Sequence, residues 1–209
     1  MAGTQSLGIF GGTFDPVHYG HLLAAQWAGE AFGLDEIIFI PAARPPHKDP
    51  AGVINGRHRL RMVELAIKNN PTFSVSALEL ERSGYSYTVD TIRHFLLADP
   101  RLDIRFILGV DALQLIHTWK EVEQLITLCR FIVVTRPGYE LDRADPVFAT
   151  VPAELWDRID LLAIPGLEIS SSEIRKRIAA GRSVRYLLPP EVAEYIKKNE
   201  LYRNETNDQ

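Results

Sequence analysis

The fold of this chain is decided by one stretch of sequence, Gly11-Gly12-Thr13-Phe14-Asp15-Pro16-Val17-His18-Tyr19-Gly20-His21. A short apolar run, residues 7–10, precedes it and predicts a first strand that ends at the glycine pair. After it, apolar residues recur at helical spacing from residue 22 to residue 32, and Gly33 marks the expected end of that helix. The stretch is therefore predicted to join a first strand to a first helix.

Strand-like and helical patterns then alternate along the chain. The apolar runs that predict further strands are residues 37–40, 104–108, 131–135 and 161–164, and a further β region is predicted within residues 73–80. The segments that predict further helices follow Asn55, begin at Thr88, and span residues 171–180 and 190–198. This order predicts the α/β class: a Rossmann-like open parallel sheet with helices on both faces and a small C-terminal helical part, residues 169–203. We expect residues 1–203 to form a single domain and residues 204–209 a flexible tail.

Composition narrows the class of protein. The chain has 209 residues, 46% of them hydrophobic and 24% charged, which suits a globular domain with a sizeable core. Its formal net charge of -4 argues against broad nucleic-acid binding. The sequence contains neither a signal-peptide pattern nor an apolar stretch of the roughly 20 residues that a membrane span needs. With Cys129 as its one cysteine, the protein is expected in the cytoplasm, and a homo-oligomer is compatible with the sequence.

The glycine pair and the two histidines of the first motif indicate a phosphate site. Ligands of open parallel sheets bind beyond the carboxyl ends of the strands, where glycine lets a phosphate approach without meeting a Cβ. The stretch matches neither the dinucleotide fingerprint nor the P-loop. His18 and His21 lie three residues apart at a helix start, so both imidazoles can face an anion held by the helix N-terminus. The same pair could instead ligate a metal or have a structural role.

A second anion site is predicted at the start of the helix near residue 171. Ser170-x-x-Glu173 fits a capping box, which by itself accounts for these residues structurally. Ser171 and Arg175 lie four residues apart, which places a hydroxyl and a guanidinium on one helix face. With the helix N-terminus, these two side chains predict a clamp for phosphate.

These motifs together are similar to a known family. The first stretch resembles the H-x-G-H signature of the nucleotidyltransferase superfamily, in the long form typical of bacterial nicotinate mononucleotide adenylyltransferases. The resemblance continues in order through Pro45-Pro46-His47-Lys48, Tyr87-Thr88-Val89-Asp90-Thr91, Leu108-Gly109-Val110-Asp111, Trp119 and Ile169-Ser170-Ser171-Ser172-Glu173-Ile174-Arg175. It covers nearly the whole chain. H-x-G-H alone is a weak signal, whereas the ordered set is specific.

The resemblance, together with the positions of Lys48 and Arg136 just after predicted strands, indicates a set of functional residues. The residues expected to bind ATP are Gly11, Gly12, Thr13, Phe14, His18, His21, Gly109, Asp111, Arg136, Ile169, Ser170, Ser171 and Arg175. Of these, His18, His21 and Arg175 are the expected catalytic residues. The residues expected to bind the acceptor are Lys48, Tyr87, Thr88 and Trp119. Structural alternatives are a helix N-cap for Asp111, surface cations for Lys48 and Arg136, and a core residue for Trp119.

The resemblance implies a reaction that joins ATP and nicotinate mononucleotide to give deamido-NAD and pyrophosphate. It also implies that the pyridine ring stacks on Trp119 and that its carboxylate meets backbone N–H groups near Tyr87 and Thr88. Thr88 is predicted as a helix N-cap, and a helix N-terminus favours a carboxylate over a neutral amide. The attacking phosphate is already anionic near neutrality, so in-line transfer needs neither a general base nor a covalent intermediate. Mg²⁺ is expected to be held mainly by phosphates and water, with no protein ligand.

Two alternative functions remain open at this point. One is a sister adenylyltransferase that uses nicotinamide mononucleotide or phosphopantetheine, and the other is a sensor that binds ATP without turnover. A class I aminoacyl-tRNA synthetase also carries an H-x-G-H motif. That class is disfavoured because the chain is short, net acidic and without a lysine-rich K-M-S-K-S loop.

Overall fold

The computed structural model of the chain describes residues 4–44, 52–135, 138–139 and 141–203. The strands among these residues are β1 (Ser6–Gly12), β2 (Glu36–Pro41), β3 (Phe73–Val75), β4 (Asp103–Gly109), β5 (Arg130–Thr135) and β6 (Ile159–Ala163). They form one parallel sheet in the order β3-β2-β1-β4-β5-β6. The predicted Rossmann-like parallel sheet is confirmed, while the predicted tail, residues 204–209, lies outside the described residues.

The helices lie between the strands and after the last one. The described α-helices are α1 (Tyr19–Phe32), α2 (Gly56–Ile67), α3 (Leu78–Glu81), α4 (Thr88–Ala98), α5 (Val110–Gln114), α6 (Val122–Leu128), α7 (Ser171–Ala179) and α8 (Pro190–Lys198). Short 3-10 helices span Ile116–Thr118, Pro146–Phe148 and Ala153–Arg158. Asn55 caps α2 as predicted, because its side chain accepts the backbone N–H of Arg57 at 2.9 Å. Gly33 ends α1 in a left-handed conformation with φ 59°, also as predicted.

Both faces of the sheet are apolar and covered by helices. Neighbouring strand residues point to opposite faces, so Phe10 belongs to one core cluster and Ile9 to the other. The cluster on the Phe10 side is covered by α1, α2, α7 and α8, and the cluster on the Ile9 side by α4, α5 and α6. The prediction of helices on both faces is confirmed. The C-terminal helices complete one of these layers, since Ile174 and Ile196 are buried in the cluster on the Phe10 side.

The third strand lies within the region predicted for it. The sequence indicated β structure within residues 73–80, and β3 spans Phe73–Val75, with α3 following almost at once. The side chain of Ser76 accepts the backbone N–H of Leu78 at 3.2 Å, which turns the chain out of the strand direction. A local hydroxyl–backbone bond therefore marks the end of this strand.

The strand order determines where a ligand can bind. The chain builds outward from β1 in both directions, since β1 pairs with β2 on one side and with β4 on the other. Loops that leave these strands at their carboxyl ends turn to opposite faces and open a crevice between them. The site is therefore expected beyond the ends of β1 and β4.

Candidate active site

The first motif forms a loop at the carboxyl edge of the sheet. Residues 13–18, here called the motif loop, connect β1 to α1. The glycine pair before it has a packing reason: a Cβ on Gly12 would lie 2.9 Å from the Phe14 ring, and one on Gly11 would lie 3.0 Å from the Phe106 ring. Aromatic rings packed against the strand end, in addition to any phosphate, therefore require glycine at these positions.

The two histidines of the motif lie side by side. His18 is the N-cap of α1, with an extended backbone at φ −148°, and His21 is the third residue of that helix. Their ring centroids are 3.8 Å apart, which confirms the predicted shared face. The backbone N–H of His18 donates to Nδ1 of His21 at 3.3 Å. In the neutral ring of His21, the proton is therefore on Nε2.

His18 is buried and uncharged at neutral pH. Its side chain lies against Gly20, where an added Cβ would be 3.0 Å from both Cε1 and Nδ1 of the His18 ring. Burial lowers the pKa of His18 to about 4. The side chain of His18 forms a capping box with the backbone N–H of His21, and its Nδ1 atom is buried. In the neutral ring of His18, the proton is therefore on Nε2. His18 is therefore suited to act as a neutral hydrogen-bond donor.

The neutral state of His18 predicts a pH dependence of stability. The pKa is about 4 in the folded protein and about 6.5 in the unfolded chain, so the unfolded chain binds a proton first as pH falls. The stability that His18 contributes is complete above about pH 6.5 and is lost towards about pH 4, by about 3 kcal/mol in total. We expect urea unfolding to show a larger loss between about pH 7 and pH 4.5 for the wild type than for His18→Gln, whose amide does not titrate. Equal losses would contradict a buried neutral imidazole.

A cavity of about 700 Å³ opens beside the histidine pair. The predicted ATP-binding residues that line it are His18, His21, Gly109, Asp111 and Ile169. Tyr139 and Leu167 complete its rim as exposed apolar side chains, and neither was predicted from the sequence. Both follow strand ends in irregular segments, where periodicity carries no signal. The cavity is large enough for a nucleotide, and the start of α1, with its partial positive charge, lies in its wall.

Asp111 lies in the wall of this cavity, but it is not an N-cap. The N-cap of α5 is Gly109, so Asp111 is the second residue of the helix, and it is exposed. The helix begins earlier than predicted because β4 passes directly into α5 without an intervening loop. The carboxylate of Asp111 in the first turn still interacts favourably with the partial positive charge at the start of α5.

The start of α7 packs against the motif loop. Ser170 caps α7 as predicted, since its Oγ accepts the backbone N–H three residues later at 3.2 Å. Ser171 Oγ donates to the carbonyl oxygen of Pro16 at 2.9 Å, and Arg175 Nη1 donates to that of Asp15 at 2.7 Å. The predicted common direction of these two side chains is confirmed, and both bind the motif loop. A contact between them and phosphate stays a prediction.

Thr13 and Phe14 differ in what they can offer a ligand. Phe14 is 2% exposed and its ring packs against Phe10 and His21, with centroids 5.6 Å and 5.1 Å away. Its backbone is left-handed, at φ 51°, which is uncommon for an aromatic residue. Any contact of Phe14 with ATP must therefore come from its main chain. The carbonyl oxygen of Thr13 accepts from Arg59, which holds the start of the motif loop.

Arg59 is a buried cation beneath the site that was not predicted from the sequence. It is 1% exposed, and its guanidinium donates to the carbonyl oxygens of Thr13 at 2.7 Å, Ala42 at 2.7 Å and Ile54 at 3.1 Å. Burial lowers its pKa, while the nearby Asp15 opposes this. Arg59 thereby ties the loop after β1 to the residue after β2.

The spacing of α2 contained a signal for Arg59. It lies three and four residues before Met62 and Val63, which are both buried, so it interrupts the apolar face of the helix. Arg57 and Arg61 lie on the exposed face of the same helix. A charged residue on the apolar stripe of a helix needs buried partners.

A second cavity, of about 250 Å³, lies on the other side of the β1 end. Its lining includes the predicted acceptor residues Tyr87, Thr88 and Trp119, together with the glycine pair. Trp119 is half-buried and its ring meets Phe106 edge-on, with centroids 5.7 Å apart. Trp119 therefore both packs against the core and presents surface to the cavity. The two cavities share Phe10, Leu108 and Gly109, so they meet at the switch point.

The helix start beside this cavity differs from the prediction. Tyr87, with an extended backbone, is the N-cap of α4, and Thr88 is its first helical residue, so the predicted N-cap role of Thr88 is wrong. The amide of Thr88 is still among those that a helix start leaves without an internal partner, so it suits a carboxylate.

Two lining residues of the second cavity, Glu79 and Ser86, were not predicted. Glu79 is 7% exposed and accepts from Thr91 Oγ1 at 2.7 Å; burial raises the pKa of its carboxyl, and hydrogen bonds oppose this. Ser86 Oγ accepts the backbone N–H of Ala43 at 2.9 Å, which ties the loop before α4 to the end of β2.

Some predicted features lie beyond what the structure describes. Lys48 and Arg136 fall outside the described residues. Among the residues that are described, no three His, Cys, Asp or Glu side chains gather as a metal-binding group. No helix in the described ranges is long and apolar enough to cross a membrane.

An open parallel sheet with a helix start and two joined cavities at its switch point defines a nucleotide-binding α/β protein. Its sequence matches the model of the cytidylyltransferase-like family over residues 9–177. The chain belongs to this family and is a nucleotidyltransferase.

Relatives and solved structures match this chain over nearly its whole length. The chain is 46% identical to a protein of Moorella thermoacetica named probable nicotinate-nucleotide adenylyltransferase, over 94% of this chain and 91% of that protein. It is equally identical to a Thermus thermophilus protein of the same name, over 94% and 99%. The nicotinic acid mononucleotide adenylyltransferase of Plasmodium falciparum, solved in complexes with APC and with NaAD, superimposes with a TM-score of 0.75 at 25% identity, covering 95% of this chain and 97% of that one.

Proposed function

We propose that the protein transfers the adenylyl group of ATP to nicotinate mononucleotide and produces deamido-NAD and pyrophosphate. The observation that carries this proposal is the pair of joined cavities. His18 and His21 border the larger one, while Trp119 and the start of α4 border the smaller one. Two substrates bound in these cavities would meet at Gly109, beyond the ends of β1 and β4. Relatives and a solved neighbour named for this activity support the choice of acceptor.

The proposed chemistry is a single in-line displacement. An oxygen of the acceptor phosphate forms a bond to the α-phosphorus of ATP, while the bond from that phosphorus to the oxygen bridging to the β-phosphate breaks. Pyrophosphate leaves with the electron pair of the broken bond. The attacking phosphate has a second pKa of about 6, so it is already anionic and no residue has to remove a proton. The protein needs to align the two phosphates and stabilise the charge that develops.

We assign that stabilisation to His18, His21 and Arg175. His18 is uncharged, so it contributes a hydrogen bond and not a positive charge, whereas Arg175 contributes a permanent charge. Mg²⁺ is proposed to enter with ATP, because it binds phosphate oxygens and water in preference to a cage of protein ligands. Bound there, it would neutralise part of the phosphate charge. The imidazole, hydroxyl and guanidinium groups near the motif loop are proposed to donate hydrogen bonds to the phosphate oxygens directly.

The acceptor side is proposed to select an aromatic acid. The amide of Thr88 at the start of α4 favours a carboxylate, and Trp119 offers a ring face for stacking. Lys48 and Arg136 are proposed to add contacts to phosphate and nucleotide. We also propose a cytoplasmic location, since the one cysteine, Cys129, is buried as a thiol.

A pyrophosphate-release assay with three acceptors tests the proposal. Purified protein with MgATP is given nicotinate mononucleotide, nicotinamide mononucleotide or phosphopantetheine, and we expect fastest release with the first. Faster release with either of the other two acceptors would identify the protein as a sister adenylyltransferase and contradict the proposed acceptor. ATP binding by calorimetry without release from any acceptor would identify a sensor and contradict the proposed reaction.

A further inference from the structure

We propose that Tyr202, near the C-terminus, is a positioning residue that sets Arg175 against the motif loop through the carboxylate of Asp15. This inference rests on the proposed function, because its effect is measured in the adenylyl transfer. It assigns a role in the reaction to a residue that lines neither of the two cavities described above.

The geometry links three residues that are far apart in sequence. Tyr202 Oη donates to Asp15 Oδ1 at 2.6 Å. On the other side, Arg175 Nη1 donates to the carbonyl oxygen of Asp15 at 2.7 Å and lies 3.9 Å from Asp15 Oδ2. Asp15 is 2% exposed, so a single buried residue connects the phenol to the guanidinium.

The protonation of this cluster suits a fixed connection. Burial and the charge of Asp15 raise the pKa of Tyr202, while Arg175 and Arg59 oppose that rise. The hydroxyl therefore keeps its proton throughout the physiological range and remains a donor. The Asp15 carboxylate accepts the phenol hydroxyl and lies near two cations, Arg175 and Arg59, and these interactions favour its observed orientation.

The backbone of the C-terminal segment brings Tyr202 to this position. After α8, Glu200 and Tyr202 adopt left-handed conformations at φ 52° and 61°, which turn the chain back towards the motif loop. Leu201 and Tyr202 then pack on the core cluster on the Phe10 side. Apolar contacts therefore hold the segment on the core. The Tyr202 hydroxyl adds a directional hydrogen bond to Asp15.

The connection reaches groups assigned to catalysis. Asp15 lies three residues before His18, and the next residue, Pro16, accepts the Ser171 hydroxyl at 2.9 Å. Movement of Asp15 would therefore shift Arg175 and His18 together. Since small displacements of stabilising groups cost large factors in rate, loss of the Tyr202 hydroxyl is expected to slow turnover more than it weakens acceptor binding.

The test compares two tyrosines of the same C-terminal segment. Tyr202→Phe removes the hydroxyl that contacts Asp15, and Tyr195→Phe removes a hydroxyl that lies 2.9 Å from His58 Nδ1, outside both cavities. We expect Tyr202→Phe to lower kcat about tenfold with the KM for nicotinate mononucleotide within about twofold. Tyr195→Phe is expected to keep wild-type kcat. An unchanged kcat in Tyr202→Phe, or an equal loss in both variants, would overturn the inference.

A double-mutant cycle tests the path through Arg175. In an Arg175→Ala background, Tyr202→Phe is expected to lower kcat by less than about twofold, because the group it positions is gone. A full further loss in that background would show that Tyr202 acts by another route. Turnover of the wild-type protein distinguishes a failure of the proposed function from a failure of the inference about Tyr202. If the wild type releases no pyrophosphate, the proposed function and the inference fall together, whereas normal wild-type turnover with an unaffected Tyr202→Phe contradicts the inference alone.

Discussion

Replacing His18 with alanine is expected to lower kcat by roughly 100-fold or more, while the KM for nicotinate mononucleotide changes by less than about threefold. His18 borders the larger cavity and not the one lined by Trp119. A neutral imidazole in that wall can donate to a phosphate oxygen as charge develops there. Its loss therefore raises the barrier of transfer without removing a contact to the acceptor.

The matched control for His18→Ala is His94→Ala. His94 is exposed on α4 and lines neither cavity, so we expect wild-type kinetics from that variant. Because the pKa of His18 is about 4, kcat should also show no inflection from this residue between about pH 5.5 and pH 8. Wild-type kcat in a folded His18→Ala protein would rule out the catalytic assignment.

Replacing Arg59 with methionine is expected to lower the free energy of unfolding by about 3–5 kcal/mol. Methionine approximates the length of the arginine side chain but donates no hydrogen bonds, so three part-buried carbonyl oxygens lose their partner. Asp15 loses a neighbouring cation in the same change. Thermal unfolding should show a fall in Tm of roughly 10 °C, given about 2–4 °C per kcal/mol for a chain of this size.

Arg61→Met provides the control on the same helix. Arg61 is exposed and pairs with Glu64 at 2.7 Å, and an exposed ion pair contributes about 0–1 kcal/mol. We therefore expect Arg61→Met to unfold close to the wild type. A similar small loss in Arg59→Met would show that the three carbonyl contacts do not stabilise the fold. A lysine at position 59 should be intermediate, since one ammonium cannot reproduce the fork of a guanidinium.

The fold was largely predictable because its elements are marked by local signals. The runs that became β2, β4 and β5 are largely apolar on both faces, which is typical of strands covered on both sides in a parallel sheet. Asn55 marked the start of α2 because its side chain can cap a helix. Gly33 marked the end of α1 because a residue without a side chain adopts the left-handed conformation easily. The sequence did not mark where β3 ends, because the chain turns there through a local bond in which Ser76 Oγ accepts the backbone N–H of Leu78.

The candidate site was predictable where its residues share one helix turn. His18 and His21 are three apart, and Ser171 and Arg175 four apart, so helix geometry alone brings each pair together. The N-caps of α4 and α5 were placed one or two residues late, since the boundary of a helix depends on backbone angles that residue types only bias. Which ligand each pair contacts stays a prediction.

While the short helices α3 and α6 were not predicted, sequence patterns alone were sufficient for the alternation of the strands with the longer helices, the motif that opens α1 and the family to which the chain is similar. These follow from spacing over a few residues, where chain connectivity sets the distances. Only the tertiary structure decided that Arg59 supports the motif loop, that α7 binds Asp15 and Pro16, and that Tyr202 closes the cluster. Those contacts join residues 46 to 187 positions apart. These contacts form because α2, α7 and α8 pack on the same face of the sheet. Leaving a buried polar atom unpaired costs free energy, so burial favours the arrangement in which each such atom has a hydrogen-bond partner.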